Sequence, residues 1–413
     1  MQRKTDLKKP ELLCPAGDKE RLDACLMFGA DAVYLGADMF SMRAAVPNFL
    51  YDELESAVKK AHSKGAKVYL TCNTLPRNDE IAVLPGYLEK WASVGVDAFI
   101  VADFGVLDLC KKYANSVPVH ISTQAGIVNY HTAETFYNLG ASRVVLAREL
   151  SLSEISEISA KKPKELEIEV FVHGAMCVSF SGRCLLSNYL TGRDANRGEC
   201  AQPCRWEYAL MEKKRDGMYF PISDSPNGTY ILNSRDMCMI EHIPELVDAG
   251  IDSFKIEGRA KSSYYAAVIT NAYRAAIDEF FASDADNYKL SDWILNETKK
   301  VSYREYCTGF FFGAPSEDAQ IFYDGGYKRE WDVAAVLIES NNDYITVEQR
   351  NKFVVGDELE ILEPGKEPVR ITVSQMFNEK GENISEAPHP MEIVKIKCNH
   401  QFVKGSLLRK EKK

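Results

Sequence analysis

Long apolar runs are what this chain most obviously lacks. No stretch of about 18 or more uncharged apolar residues occurs, so a membrane-spanning helix is not expected. The first residues, MQRKTDLKKPELL, are basic without the apolar segment of a secretory signal. A cytoplasmic location with no membrane partner is the expectation. Histidine is scarce, at 7 residues, and neither HExxH nor GxSxG occurs. Two common hydrolytic devices, a helix-borne zinc pair and a nucleophile elbow, therefore have no signature here. No GxGxxG follows the first apolar run, which counts against a dinucleotide-binding open sheet. Cationic charge is also short: 50 Lys and Arg against 60 Asp and Glu leave a formal net charge of −10. That balance argues against a surface coated in basic residues for nucleic acid, while leaving room for a local patch. The late cluster Lys404, Arg409, Lys410, Lys412 and Lys413 reads as a solvated tail.

Core material is ample. Hydrophobic residues fill 46% of 413 positions, enough for one large domain and a smaller one. From residue 11 to about 282, eight short apolar runs alternate with amphipathic stretches. The runs are ELLCPAG at 11, DAVYLGA at 31, AKVYLTCNT at 66, AFIVAD at 98, VPVHISTQ at 117, SRVVLARE at 142, LEIEVFVHG at 166 and DSFKIEG at 252. They are near-continuously hydrophobic, as strands buried on both faces of a parallel sheet would be. Between them lie helical patterns such as YDELESAVKKAHSKG at 51–65, which ends on glycine where a C-cap belongs. Eight strand–helix units predict an α/β fold, a TIM-type (β/α)8 barrel over residues 1–285, with a doubly wound sheet as the alternative. The long pattern at 262–283 is the expected closing helix, and residues 286–330 read as a linker.

From Trp331 to residue 413 the period becomes two. WDVAAVLIES, YITVEQR, DELEILEP, VRITVSQMF and MEIVKIKC are separated by turn-like segments. Five or six short strands predict a small antiparallel β-barrel. It holds no cluster of His, Asp and Cys, so it reads as a binding or positioning module.

In a barrel the C-terminal strand ends converge on the face where active sites are built. Reading each run to its end places Asp18, Asn73, Asp103, Gln124, Arg148 with Glu149, His173, and Glu257 with Arg259 on that face. Asp18 is as well explained by a helix N-cap.

The densest chemistry lies between residues 169 and 240. Four of the 11 cysteines, Cys177, Cys184, Cys200 and Cys204, fall within 28 residues, and Cys238 follows. Glycines and basic residues surround them without apolar periodicity, so the segment reads as a loop folded around something that thiolates hold. In a reducing compartment, clustered cysteines point to ligands or catalysis before disulfides. A zinc site prefers paired C-x2–4-C units, and only Cys200 and Cys204 are so spaced. An iron–sulfur cluster accepts irregular loop spacing, and a single nucleophilic cysteine would need a base such as His173. All three readings stand at this point. Cys14, Cys25, Cys72, Cys110, Cys307 and Cys398 lie in apolar or strand-like settings and read as packing residues.

The run EVFVHGAMCVSFSGRCLLS at 169–187 resembles the signature of the collagenase-like peptidase family U-thirty-two. PELLCPAGDKERLDACLMFGADAVYLG resembles its first β-α-β unit, and RGECAQPCR its second cysteine block. LNSRDMC resembles the segment with its later cysteine, and DSFKIEGRAKSSYYAAVITNAYR its closing strand and helix. The resemblance extends over nearly the whole chain, including the C-terminal β-domain. It implies a family first labelled proteases, whose better-understood branches are oxygen-independent hydroxylation proteins with a [4Fe–4S] cluster. Those branches act on tRNA wobble uridine, ribosomal RNA or ubiquinone precursors, and the RNA-directed ones depend on prephenate. Length and the C-terminal domain make this chain most similar to the tRNA hydroxylation branch. The resemblance places the cluster and metal ligands on Cys177, Cys184, Cys200 and Cys238, with Cys204 as the residue that could substitute.

Three functions follow as expectations. The first is an enzyme that hydroxylates tRNA, with tRNA as partner, His173, Glu149, Glu257, Arg148 and Arg259 as catalytic candidates, and prephenate as co-substrate. Arg148, Arg183, Arg193, Arg235 and Arg259 would give the mouth positive potential, and guanidinium forks suit a dicarboxylate or a phosphate. Tyr34, Phe40, Phe180 and Tyr189 are possible aromatic platforms for a base. The second is a peptidase, which needs an activated nucleophile or metal-bound water. The third is a non-enzymatic RNA-binding scaffold with a structural metal.

Overall fold

A computed structural model of the chain describes residues 7–42, 48–177, 179–180, 184–206, 234–283, 288–313 and 327–412. Seven strands come first: β1 (Glu11–Pro15), β2 (Ala32–Gly36), β3 (Lys67–Cys72), β4 (Ala98–Val101), β5 (Val119–Ile121), β6 (Arg143–Val145) and β7 (Glu167–Ala175). Then come β8 (Asp236–Cys238), β9 (Ser253–Ile256) and β10 (Tyr306–Cys307). Strands β1 to β7 pair in chain order, all parallel, and β9 pairs parallel with both β7 and β1. That closes an eight-stranded parallel barrel of TIM type. The eight apolar runs are these eight strands.

Local chemistry starts the helices between them. Asp18 caps the helix Lys19–Met27 by accepting from the Arg21 N–H, and Asp103 caps Phe104–Tyr113 by accepting from Val106. Ser151 and Glu154 form a capping box on Leu152–Lys161. The closing helix, Ser263–Ala282, buries Ala266, Ala267, Ala272 and Ala276, small residues that let it lie close to the barrel.

The barrel interior is less ordinary. Leu13, Ala32, Tyr34, Tyr69, Ala98 and Ile100 form an apolar cluster of their own. Beside them runs a buried ionic network. Arg143 reaches Glu11 at 2.6 Å, Glu167 at 2.6 Å and Glu169 at 3.1 Å, while Lys255 holds Glu169 at 2.6 Å. Removing one partner from such a network strands the others without solvent.

Four sequence expectations change here. Strand β8, unforeseen, runs antiparallel on the end of β7 with Cys238 opposite His173, and β10 pairs with β8. The expected linker thus contains a helix, Asp292–Glu297, and a strand that joins the barrel sheet. The C-terminal region is antiparallel as expected. Its eight-stranded sheet, however, runs openly from Val369–Thr372 to Asn383–Ile384, a half-barrel rather than a closed one. Finally, the basic tail is a strand, Leu407–Glu411. Arg409 is fully buried, bonding Glu297 at 2.7 Å and Glu360 at 2.9 Å. Charge runs are usually solvated, but alternation along a strand sends every second side chain inward.

Candidate active site at the barrel mouth

The C-terminal strand ends open into a cavity of about 1330 Å³. Its barrel wall includes Arg148, Glu149, Phe171, Lys255, Glu257 and Arg259, and its loop wall includes Cys177, Cys184, Cys200 and Cys204. Convergence of polar groups on one mouth is the default location of a TIM-barrel site.

Backbone pairing fixes the central carboxylate. The Glu257 N–H donates to the His173 carbonyl at 2.8 Å, tying the ends of β7 and β9. Gly174 makes this possible: its φ is +111°, and a Cβ there would meet the Glu257 carbonyl oxygen at 2.6 Å. The Tyr34 hydroxyl donates to the Ile256 carbonyl at 2.9 Å and lies 3.4 Å from Glu257 Oε2. On its other side, Arg148 Nη2 lies 3.8 Å from the same carboxylate oxygen. Arg148 Nη1 donates to the Ala175 carbonyl at 2.8 Å, and its guanidinium sits 3.8 Å above the Phe171 ring. Both contacts lock the fork's plane.

Arg259 is held differently. Its Nη1 donates to Ser41 Oγ at 2.8 Å and Thr71 Oγ1 at 3.1 Å, and its Nη2 to Asn48 Oδ1 at 2.7 Å. These neutral oxygens fix the orientation of the guanidinium. Gly36 makes room, since a Cβ there would meet Arg259 Nη2 at 2.6 Å.

Not every candidate reaches the cavity. His173 is not among its lining residues. It is 1% exposed and packed among Tyr265, Tyr273 and Tyr306. Burial lowers its pKa to about 3, and Nδ1 lies 3.4 Å from the Tyr273 hydroxyl. A strand-end position placed it behind the wall, where it braces β7 against β8. Asp18 and Asp103 serve as caps, while Asn73 and Gln124 line the cavity and bond each other at 3.2 Å. Arg235 pairs with Glu305 at 3.4 Å, Arg193 is exposed, and Arg183 lies outside the described residues. Of the aromatics, Tyr34 lines the cavity and Phe40 is core, against Tyr87 and Trp91. Phe180 is 53% exposed beside Gly126, and the Tyr189 side chain lies outside the described residues.

Cys177, Cys184, Cys200 and Cys204 share one wall. Cys184 Sγ accepts from the Leu186 N–H at 3.3 Å, and Cys200 Sγ from the Gln202 N–H at 3.4 Å. Ser187 Oγ accepts from the Ala201 N–H at 3.0 Å, stitching the two cysteine blocks together. Although Cys177 is exposed, surrounding protein pushes its thiol above the ordinary value, and Cys184 and Cys200 add like-charge repulsion. Crowded thiols already receiving N–H bonds suit a cationic, thiolate-held group. Among the described residues, no three His, Cys, Asp or Glu side chains stand close enough to enclose a single ion. Cys238 is apart from this wall, its Sγ 3.9 Å from the Tyr273 hydroxyl, and burial pushes its thiol up to about 12.

Sequence reading missed Lys255, whose Nζ lies over the Tyr34 ring at 4.6 Å and the Phe171 ring at 5.3 Å. A charge inside an apolar strand run was its signal. It also missed a second limb of the cavity, lined by Tyr327, Arg329, Trp331, Arg350 and Lys412. Nothing in local sequence brings these to the barrel.

The model of "Peptidase family U32" matches residues 17–321, and that of its C-terminal domain matches 329–409. The chain is 38% identical to "tRNA hydroxylation protein P1" of Bacillus subtilis (strain 168), over 98% of this chain and 96% of that protein. It is 36% identical to "tRNA hydroxylation protein P" of Escherichia coli (strain K12), over 92% of each chain. A 23S rRNA 5-hydroxycytidine synthase of the same strain is 35% identical over 76% of this chain and 46% of its own. With two family models in order and relatives matching end to end, the chain belongs to peptidase family U32.

Proposed function

We propose that this chain hydroxylates the wobble uridine of tRNA at C5, without molecular oxygen, at the mouth of its barrel. The observation that carries the reading is the joining of four cysteines, Arg148, Glu257 and Arg259 in one cavity. Two relatives matched along nearly their whole length are named for tRNA hydroxylation, and a third for making 5-hydroxycytidine.

The residues divide the task. An unpaired anticodon base needs little energy to leave its stack and enter a cavity. Replacing the C5 hydrogen by a hydroxyl from water releases two protons and two electrons. Glu257, between Tyr34 and Arg148, is placed to take the proton that leaves the base carbon, and the electrons must pass to an external electron acceptor. Arg148 and Arg259 bring positive charge to the cavity, which suits a dicarboxylate co-substrate such as prephenate, or a phosphate. A [4Fe–4S] cluster held by Cys177, Cys184 and Cys200 of the cavity wall, with Cys238, which stands apart from that wall, or Cys204, which stands on it, as the fourth ligand, would supply one-electron transfer.

The peptidase reading has less support. Among the described residues that line the cavity there is no histidine to activate a serine or cysteine. It predicts peptide hydrolysis that survives Cys177→Ala.

Nucleoside analysis of tRNA from a deletion strain without a redundant pathway tests the proposal. Loss of 5-hydroxyuridine-type nucleosides supports it, and an unchanged content rejects it.

A further inference from the structure

The cavity does not stop at the barrel. It continues between the barrel and the half-barrel, where Lys261, Tyr327, Arg329, Trp331, Arg350 and Lys412 line a second limb. Tyr327 is half-buried, with the Lys261 ammonium 4.4 Å and the Arg329 guanidinium 5.9 Å from its ring centre. Trp331 is backed by Lys300 at 4.8 Å and Arg409 at 5.4 Å. Arg329 and Lys412 are exposed at the rim. The acids of this limb are already engaged: Asp332 by Lys412 at 3.2 Å, Asp23 by Lys60, and Glu20 by the Ser263 hydroxyl at 2.9 Å. Arg350 pairs with Glu348 at 2.7 Å. Surface pairs of this kind are weak enough for a phosphate to replace them.

Aromatic faces set among cations are how proteins hold single-stranded nucleic acid. The limb is also fixed in place. Arg409 joins Glu297 of the barrel region to Glu360 of the half-barrel, and the Gly365 N–H donates to Asn271 at 2.7 Å. A fixed limb costs little ordering on binding.

We propose that this limb is a subsite for an unpaired nucleotide neighbouring the target uridine, its base on Tyr327 and its phosphates beside Arg329 and Lys412. The proposal rests on the RNA reading above and gives the half-barrel a direct share in the site. An overall acidic chain then grips RNA through a local patch.

The test is binding of an anticodon stem-loop RNA to full-length protein across a salt series. Arg329→Ala with Lys412→Ala should weaken binding about tenfold and flatten the log–log salt slope by about 1.4, from roughly 0.7 per phosphate contact. Tyr327→Leu should weaken it comparably while Tyr327→Phe does not, because stacking needs the ring and not the hydroxyl. Lys395→Ala with Lys397→Ala, on exposed positions of the half-barrel outside the cavity, should leave both quantities unchanged. Wild-type affinity and slope in the Arg329/Lys412 variant, with RNA still bound and modified, would overturn the subsite and leave the hydroxylation reading intact. Equal weakening in the Lys395/Lys397 variant would also overturn it, as would failure of wild-type protein to bind the RNA. That last result would remove the RNA reading as well.

Discussion

The guanidinium of Arg148 lies 3.8 Å above the ring of Phe171, and its Nη2 stands 3.8 Å from Glu257. One planar cation is thereby stacked, bonded to a strand-end carbonyl and aimed at the mouth's carboxylate.

Lysine cannot reproduce a stacked fork. Arg148→Lys should therefore lower 5-hydroxyuridine formation by about 10- to 100-fold, as misplacing an oriented charge in an active site does. Thermal melting should change little. Nucleoside mass spectrometry in a complemented deletion strain reads the first effect and calorimetry the second. Full modification with Arg148→Lys would show that only charge matters there.

Arg409, though it comes from the basic C-terminal run, is buried between Glu297 and Glu360. Arg409→Met leaves both carboxylates behind, and should destabilise the junction by about 3–5 kcal/mol. Denaturant unfolding followed at Trp331, which faces Arg409, checks this. A shift below about 1 kcal/mol would mean that solvent reaches the pair.

His173 gives a pH dependence. Its folded pKa is lowered to about 3 by burial, against an ordinary value of 6.5. A depressed pKa means the unfolded chain binds the proton first. Its contribution is therefore fully present above pH 6.5 and is lost as pH falls toward 3, at up to about 1.4 kcal/mol per pH unit. His173→Phe should flatten the stability curve between those limits, whatever it costs at neutral pH. Parallel curves for the two proteins would contradict the buried neutral imidazole.

The cysteine assignment is open to a metal assay. Anaerobically purified wild-type protein should carry about four irons with matching sulfide. Cys177→Ser and Cys238→Ser should lose them, and Cys204→Ser should keep them. Retention in Cys238→Ser with loss in Cys204→Ser would move the fourth ligand to the cavity wall where Cys204 stands.

Much of this fold could be read from patterning. Near-continuous apolar runs such as KVYLTC and AFIV have no other home than a parallel sheet covered on both faces, and their strand ends located Arg148, Glu257 and Arg259. What escaped depended on tertiary context. Strand β8 is three residues long and draws its pairing from β7, beyond any local period. His173 and Arg148 both sit at strand ends, yet one points into a tyrosine cage and the other into the cavity. Lys255 and Glu169 interrupt apolar runs, and their 2.6 Å contact, with Arg143 3.1 Å from Glu169, explains why the barrel accepts them. The limb between barrel and half-barrel joins Tyr327, Arg329 and Trp331 of one short stretch to Lys261, Arg350 and Lys412 from distant parts of the chain, so no single motif marks it.

The most direct measurement is rescue of tRNA hydroxylation in a deletion strain by plasmid-borne wild type, Glu257→Gln and Cys177→Ser, each confirmed folded by expression and melting. Wild type should restore 5-hydroxyuridine-type nucleosides, and both variants should fall to the deletion level or within a few per cent of it. Restoration by either variant to the wild-type amount would contradict a reaction carried out at the barrel mouth.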